Sequence, residues 1–151
     1  MEIMDQEKVA RVWKRVQAGP EAGLDAGWLK GLIAREWEGA AVYLGLSRYT
    51  QGREGAILRT LFEQEQSHAA CLKGIYTLLT GQRLPVQAPP PRQEPVEVTL
   101  RRCYGNQMRS LAEYEARSAD PEYGRVFERL AQQERENCRL VLELIGRMKE
   151  R

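Results

Sequence analysis

A proline-rich stretch in the middle of the chain is the feature that most restricts its fold. The stretch QRLPVQAPPPRQEP, residues 82–95, contains five of the seven prolines, and consecutive prolines cannot form an α-helix. On both sides of it, apolar residues recur at the three- and four-residue spacing of helices. An extended segment of this length covers roughly 43 Å, at about 3.1 Å per residue. The sequence therefore predicts helices joined by one long crossover.

The predicted helices form two pairs. We expect Asp25 to cap the first long helix and Gly81 to end the second, because these residue types are favoured at helix starts and ends. The expected bounds of the four long helices are 25–50, 53–80, 95–118 and 120 to the end of the chain. Two helical hairpins joined by one long connection have the connectivity of a ferritin-like four-helix bundle. We therefore predict an all-α protein of that fold.

The predicted organisation is a single bundle with one extra helix. The bundle occupies residues 21–151, with the crossover at 81–95. Val9, Val12 and Trp13 recur at helical spacing, so residues 1–20 are expected to form an N-terminal helix that packs on the bundle.

Charge and cysteine content exclude several classes of protein. The net charge is +2 with acidic and basic residues interspersed, which favours neither nucleic-acid nor membrane binding. The chain has no uninterrupted apolar run of about 18 residues, which a membrane span would need, and its charged start does not match a signal peptide. Three cysteines without a C-x-x-C pair are typical of a cytoplasmic protein and exclude a rubredoxin-type iron site in this chain.

The second long helix contains a pair of residues that a hydrophobic core would normally reject. In EQSH, Glu65 and His68 are three residues apart and therefore lie on one helix face. The rest of that face is apolar, with Leu61, Leu72 and Ile75. Buried charged groups require a partner, so the pair is a candidate for binding a metal ion.

Two further glutamates are predicted to reach the same level of the bundle. Glu36 lies about 15 residues before the first turn and Glu65 about 13 after it, so a rise of 1.5 Å per residue separates them by only about 3 Å. Glu134 lies at a comparable distance from the second turn. We therefore expect Glu36, Glu65, His68 and Glu134 to converge inside the bundle.

These motifs resemble those of the ferritin-like superfamily, in particular its rubrerythrin-like branch. The resemblance covers roughly residues 25–150 and depends on Glu36 and Tyr43 in EWEGAAVY, on EQSH, and on Glu134 in EREN. It implies a non-haem iron site that supports oxidation of ferrous iron by oxygen or peroxide. It also implies that Tyr43 hydrogen-bonds a ligating glutamate of the other hairpin. An external protein would have to supply electrons, and a homodimer is expected.

The second hairpin departs from the family pattern at two ligand positions. A shift of 69 residues aligns Glu65 with Glu134, but it aligns Glu36 with Gly105 and His68 with Asn137. Four of six expected ligands remain, and Asn137 is expected beside them rather than as a ligand.

Two functions therefore stay open. In the first, Glu36, Glu65, His68 and Glu134 bind one or two iron ions, or zinc or manganese in place of iron, and the protein is a ferroxidase- or peroxidase-type oxidoreductase with an incomplete di-iron site. In the second, the protein is a metal-free scaffold or interaction module. An arginine, Arg109 above all, would then enter the space left by Gly105 and pair with the buried glutamates.

Overall fold

The computed structural model describes residues 6–9, 24–85, 90 and 92–149. Its four long helices are α1 (Ala26–Ser47), α2 (Gly52–Thr80), α3 (Val96–Ala116) and α4 (Gly124–Lys149). The described ranges contain no β-strand, so the prediction of an all-helical protein is confirmed. Residues 6–9 are helical, but the rest of the predicted N-terminal helix lies outside the described residues. None of the described helices is long and apolar enough to cross a membrane.

The helix ends agree with the sequence prediction at two positions and differ at a third. The Asp25 carboxylate accepts a 2.7 Å hydrogen bond from the backbone of Gly27 and caps α1. Gly81 ends α2 with φ +70°, a conformation that favours glycine. The predicted start of α4 at residue 120 is wrong. The Asp120 carboxylate accepts hydrogen bonds from the amides of Glu122 and Tyr123, and this turn places the first helical residue at Gly124.

The helices pack as two hairpins. The closest contacts join α1 to α2 and α3 to α4. The backbones of the two hairpins then approach each other mainly through α2 and α4, whereas α1 and α3 are joined by side chains. Leu29 near the start of α1 packs in the same cluster as Tyr114 near the end of α3. Ile57 near the start of α2 packs in the same cluster as Leu100 near the start of α3. The connection from α2 to α3 therefore returns the chain from one end of the bundle to the other.

The interior consists of two apolar clusters separated by a polar layer. The first apolar cluster comprises Leu29, Leu32, Ile33, Leu72, Ile75, Tyr76, Tyr114, Phe127, Leu130 and Ala131. The second apolar cluster comprises Tyr43, Ile57, Leu58, Leu61, Leu100, Cys103, Leu140, Val141 and Leu144. On every helix the residues between the two clusters include buried polar side chains. This polar layer consists of Glu36, Glu65, His68, Gln107, Ser110, Glu134 and Asn137.

Each hairpin has a glycine where its second helix leaves the turn. A Cβ atom added to Gly55 would lie 2.4 Å from the carbonyl oxygen of Thr50, and one added to Gly124 would lie 2.4 Å from that of Ser118. A backbone atom cannot move aside as a flexible side chain can, so both positions require glycine. The close packing of turn and helix in both hairpins depends on them.

We predict that Gly55→Ala destabilises the protein by about 1–3 kcal/mol, the usual cost of forcing an extra carbon into a packed site. Gly74→Ala is the matched control in the same helix, because its Cβ would meet nothing within 4 Å. It should raise the free energy of unfolding by about 0.5–1 kcal/mol through helix propensity. Urea unfolding of both variants checks this, and equal effects would contradict the steric argument.

Candidate metal centre

The structure brings together the four side chains that the sequence singled out as candidate ligands. Glu36, Glu65, His68 and Glu134 each offer one nitrogen or oxygen atom, and all four atoms lie within 4.8 Å of one another. The four side chains are buried, with at most 3% of their surface exposed. They come from α1, α2 and α4 and lie in the polar layer, between the two apolar clusters. Carboxylates and an imidazole converging at this distance are a ligand set for Fe²⁺, Mn²⁺ or Zn²⁺.

The imidazole of His68 is held at both ring nitrogens. Its Nδ1 lies 3.0 Å from Glu134 Oε1 and 3.6 Å from Glu36 Oε2. Its Nε2 lies 2.7 Å from the side-chain oxygen of Gln133. In metal sites a histidine that binds the ion through one nitrogen donates the other N–H to such an oxygen, which fixes the tautomer and the ring orientation. Gln133 therefore orients Nδ1 towards the carboxylates.

Two tyrosines connect the hairpins across the polar layer. Tyr114 on α3 donates a 2.9 Å hydrogen bond to Glu36 on α1. Gln107 on α3 donates a 2.7 Å hydrogen bond to the hydroxyl of Tyr43 on α1, and its amide also lies 3.2 Å from Glu65 Oε1. Tyr43 thus bonds a glutamine of the other hairpin, and not the ligating glutamate that the family resemblance implied.

This exchange of hydrogen bonds identifies the residue that corresponds to Glu36 in the second hairpin. Tyr43 follows Glu36 by seven residues, and Tyr114 follows Gln107 by seven residues. The assignment of Gly105 as the counterpart of Glu36 is therefore wrong. Gly105 is exposed, and Gln107 is the buried residue.

The reason for this error is a difference in length between the hairpins. The segment from Tyr114 to Glu134 is two residues shorter than the segment from Tyr43 to Glu65, so no single shift aligns both helices of each hairpin. A glutamine and a tyrosine spaced like Glu36 and Tyr43 were the sequence signal that could have identified Gln107 and Tyr114.

The remaining predicted residues lie in different surroundings. Asn137 is buried, with 1% of its surface exposed, one helical turn beyond Glu134. Arg109 is exposed, because two residues along α3 from Gln107 point to the opposite side of the helix. The predicted pairing of Arg109 with the buried glutamates is therefore wrong. Within the described ranges, no arginine hydrogen-bonds Glu36, Glu65 or Glu134.

The polar layer leaves several buried atoms without partners. The second carboxylate oxygens of Glu36 and Glu134, Oε2 in each, have no hydrogen-bond partner, and neither do Gln107 Oε1 and Asn137 Nδ2. A buried carboxylate oxygen without a donor costs free energy. A cation among the four candidate ligands would satisfy the two carboxylate oxygens at once. The residues present therefore fit a metal ion.

The acidic groups of the metal-free centre compete for protons. Burial and the charges of Glu36 and Glu134 raise the pKa of Glu65 well above its usual value. Burial and the charge of Glu36 raise the pKa of Glu134 to about 8, although His68 acts in the opposite direction. Without metal, both carboxyl groups therefore hold protons more tightly than ordinary glutamates do.

The two remaining groups of the centre carry its opposite charges. Burial alone would lower the pKa of His68, but its hydrogen bonds with Glu134 and Glu36 raise it to about 10. Burial alone would raise the pKa of Glu36, but its interactions with Glu65 and with His68 lower it. The metal-free centre thus contains an imidazolium whose Nδ1 lies 3.0 Å from Glu134 and 3.6 Å from Glu36.

Comparison with known proteins does not assign the chain to a family. No model of a known protein family matches the sequence, and neither a curated protein nor a solved structure shows significant similarity to the chain. What the protein does has therefore to be inferred from the centre itself.

We predict that the metal-free protein loses stability as the pH rises from about 6 to about 8.5. The folded-state pKa of His68, about 10, exceeds its usual value of 6.5, so its stabilisation is complete below pH 6.5 and is lost towards pH 10. The folded-state pKa of Glu134, about 8, exceeds 4.5, so its contribution is lost between those values. Both shifts have the same sign. Urea unfolding after chelator treatment measures the effect.

Glu134→Gln should weaken this pH dependence, because it removes one titrating carboxyl group and one of the two acceptors that raise the pKa of His68. Glu136→Gln is the control on the same helix. Glu136 is exposed and its hydrogen bond with Arg139 lowers its pKa, so it does not titrate in this range. A wild-type stability that is constant or rises over this pH interval would show that the groups are not coupled as described.

Proposed function

We propose that the protein binds one divalent metal ion, iron in the first place, through Glu36, Glu65, His68 and Glu134. The observation that carries this proposal is the convergence of four buried ligand atoms within 4.8 Å of one another. Burying three carboxyl groups in an apolar bundle is costly unless their charge is neutralised. A bound cation does this, whereas the described part of the chain supplies only the imidazole of His68.

The composition of the polar layer favours one ion over two. Glu36 and His68 would bind the first ion. At the corresponding positions of the second hairpin, a second ion would meet Gln107 and Asn137. Amide side chains are neutral and are weaker ligands for iron than carboxylates or imidazole. Three carboxylates carry a charge of −3 at most, against +4 for two divalent ions. One ion therefore fits the available charge.

We further propose that the protein is a rubrerythrin-like member of the ferritin-like class with a reduced site. The support is the order of the elements, namely two hairpins with a crossover between the two ends of the bundle, and the hydrogen bond from Tyr114 to Glu36 between the hairpins. An iron ion bound there would supply reduction of oxygen or peroxide at one electron per ion, and zinc or manganese would occupy the same ligands. An external electron donor and a homodimer belong to this proposal.

A metal-free scaffold is the second candidate function. It is favoured by the 3.0 Å contact between His68 and Glu134, which, with the Tyr114 and Gln107 hydrogen bonds, satisfies part of the buried charge without an ion. In that case His68 and protonation, rather than an arginine, neutralise the glutamates. The two functions differ in metal content, which can be measured directly.

We predict that protein purified without chelators binds one Fe²⁺ per chain under anaerobic conditions, and that binding raises its melting temperature. Loss of a residue that only hydrogen-bonds a metal ligand weakens metal affinity ~10–100-fold. Glu65→Gln removes a ligand itself and should therefore weaken Fe²⁺ binding by more than this. Glu63→Gln is the matched control, because Glu63 is exposed on the same helix. Metal analysis and ferrous titration provide the measurement. Wild-type protein without metal and without stabilisation by Fe²⁺, Mn²⁺ or Zn²⁺ would favour the scaffold.

We predict that the double variant Gln107→Glu, Asn137→His binds two ions per chain instead of one. The two substitutions give the second hairpin the same donor set as the first, and glutamate has nearly the shape of glutamine. A second double variant, Gln107→Glu with Ser110→Ala, has the new carboxylate but not the new imidazole. We expect it to bind one ion, because the second ion needs both ligands. If the double variant still binds a single ion, Gln107 and Asn137 are not what limits the site.

A further inference from the structure

We infer that a narrow cavity between α1 and α3 is the route by which small hydroxyl-bearing molecules, water or hydrogen peroxide, reach the candidate metal centre. This inference rests on the proposed metal site and specifies which class of molecule can approach it. The cavity is lined at its inner end by Glu36, Glu65 and Gln107 and at its outer end by Arg35, Glu38 and Arg102. It lies where the backbones of α1 and α3 are too far apart to pack directly and are joined by long side chains instead.

The size of the cavity limits what can enter. Its volume is about 10 Å³, close to the minimum that holds one water molecule. The cavity as it stands holds one water molecule; hydrogen peroxide, with two heavy atoms, requires its walls to move apart slightly, and an organic substrate is far too large. The centre therefore does not act on a bulky compound by this route.

The outer end of the cavity is electrically balanced. Arg35 pairs with Glu113 at 2.6 Å and donates to Ser110 at 3.2 Å. Arg102 pairs with Glu38 at 2.7 Å and with Glu94 at 2.6 Å. Each cation already has a carboxylate partner, so neither attracts a free anion strongly. The entrance thus favours a neutral molecule.

The inner end offers an unused hydrogen-bond acceptor. Gln107 is buried, with 4% of its surface exposed, and its side-chain oxygen has no partner. The amide nitrogen of the same side chain is already bonded to Tyr43 and Glu65, so the oxygen is fixed in place. An O–H group can satisfy this atom and dioxygen cannot, because dioxygen carries no hydrogen. Gln107 therefore selects water or hydrogen peroxide over dioxygen.

Gly39 keeps the route open beside Glu65. A Cβ atom at this position would lie 3.5–3.7 Å from the Glu65 carboxyl group, in ordinary van der Waals contact. Alanine therefore fits there without displacing its neighbours, but its methyl group occupies space in a cavity that has room for little more than one water molecule. Gly31 on the same helix is exposed and has nothing within 4 Å of its Cβ position, which makes it a matched control.

The first experiment measures exchange of water at a bound ion without relying on any catalytic activity. Mn²⁺-loaded wild-type protein should enhance the relaxation of water protons, because water exchanges through the cavity. Gly39→Ala should lose most of this enhancement while still binding the same amount of Mn²⁺, and Gly31→Ala should keep it. Full enhancement in Gly39→Ala with unchanged Mn²⁺ binding would overturn the route.

The second experiment separates the two hydroxyl-bearing molecules. Crystals of the Zn²⁺-loaded protein, which is redox-inert, are examined with and without added hydrogen peroxide. One-atom density within hydrogen-bond distance of Gln107 Oε1 supports water, two-atom density that appears only with peroxide supports peroxide, and empty density in both overturns the inference. If the protein binds no metal, the proposed function fails. Density near Gln107 Oε1 in metal-free crystals then still decides whether the cavity admits water or hydrogen peroxide.

Discussion

The structure depends on how an apolar bundle accommodates three carboxyl groups in its interior. Removing charged groups from water is costly, and the cost falls only if opposite charges and hydrogen bonds replace the lost solvent. Here one imidazole and donors from Tyr114 and Gln107 replace part of it, and two carboxylate oxygens remain unsatisfied. A divalent ion bound as proposed would compete with protons for the same oxygens, and this competition would link metal binding and protonation to folding.

The same polar layer determines how the two hairpins fit together. The backbones of α1 and α3 lie far apart, but Tyr114 reaches across to Glu36 and Gln107 reaches across to Tyr43. Each hairpin thus contributes a tyrosine to the layer, and the partner of that tyrosine comes from the other hairpin. These bonds fix the relative height of the hairpins, because sliding one along the other would break both. The geometry of the candidate ligands is consequently a property of the whole bundle and not of one helix.

Much of this arrangement could be predicted by counting residues along helices. The heights of Glu36, Glu65 and Glu134 follow from their distances to the turns, since helices rise by a constant 1.5 Å per residue. What counting could not show is how the second hairpin aligns with the first. Its shorter segment between Tyr114 and Glu134 makes Gln107, and not Gly105, the counterpart of Glu36. Arg109, two residues beyond Gln107, then points to the opposite side of α3. The start of α4 could not be predicted from residue types alone. Asp120 is a typical helix cap, but here its carboxylate accepts hydrogen bonds within a turn that precedes the helix.

The two halves of the polar layer differ in charge far more than in shape. Glutamine has nearly the same volume as glutamate, so Gln107 preserves the packing between α1 and α3 and the contact with Tyr43 while removing one negative charge. Asn137 is likewise a neutral residue one turn beyond a glutamate. An ion held by Glu36, Glu65, His68 and Glu134, as proposed, would therefore have two neutral amide side chains close to its ligands. The cavity between α1 and α3 reaches Gln107 together with Glu36 and Glu65, so it opens on one neutral amide and on two of the candidate ligands. Because glutamine keeps the volume of glutamate, the two halves of the layer differ in charge and not in the space that they leave.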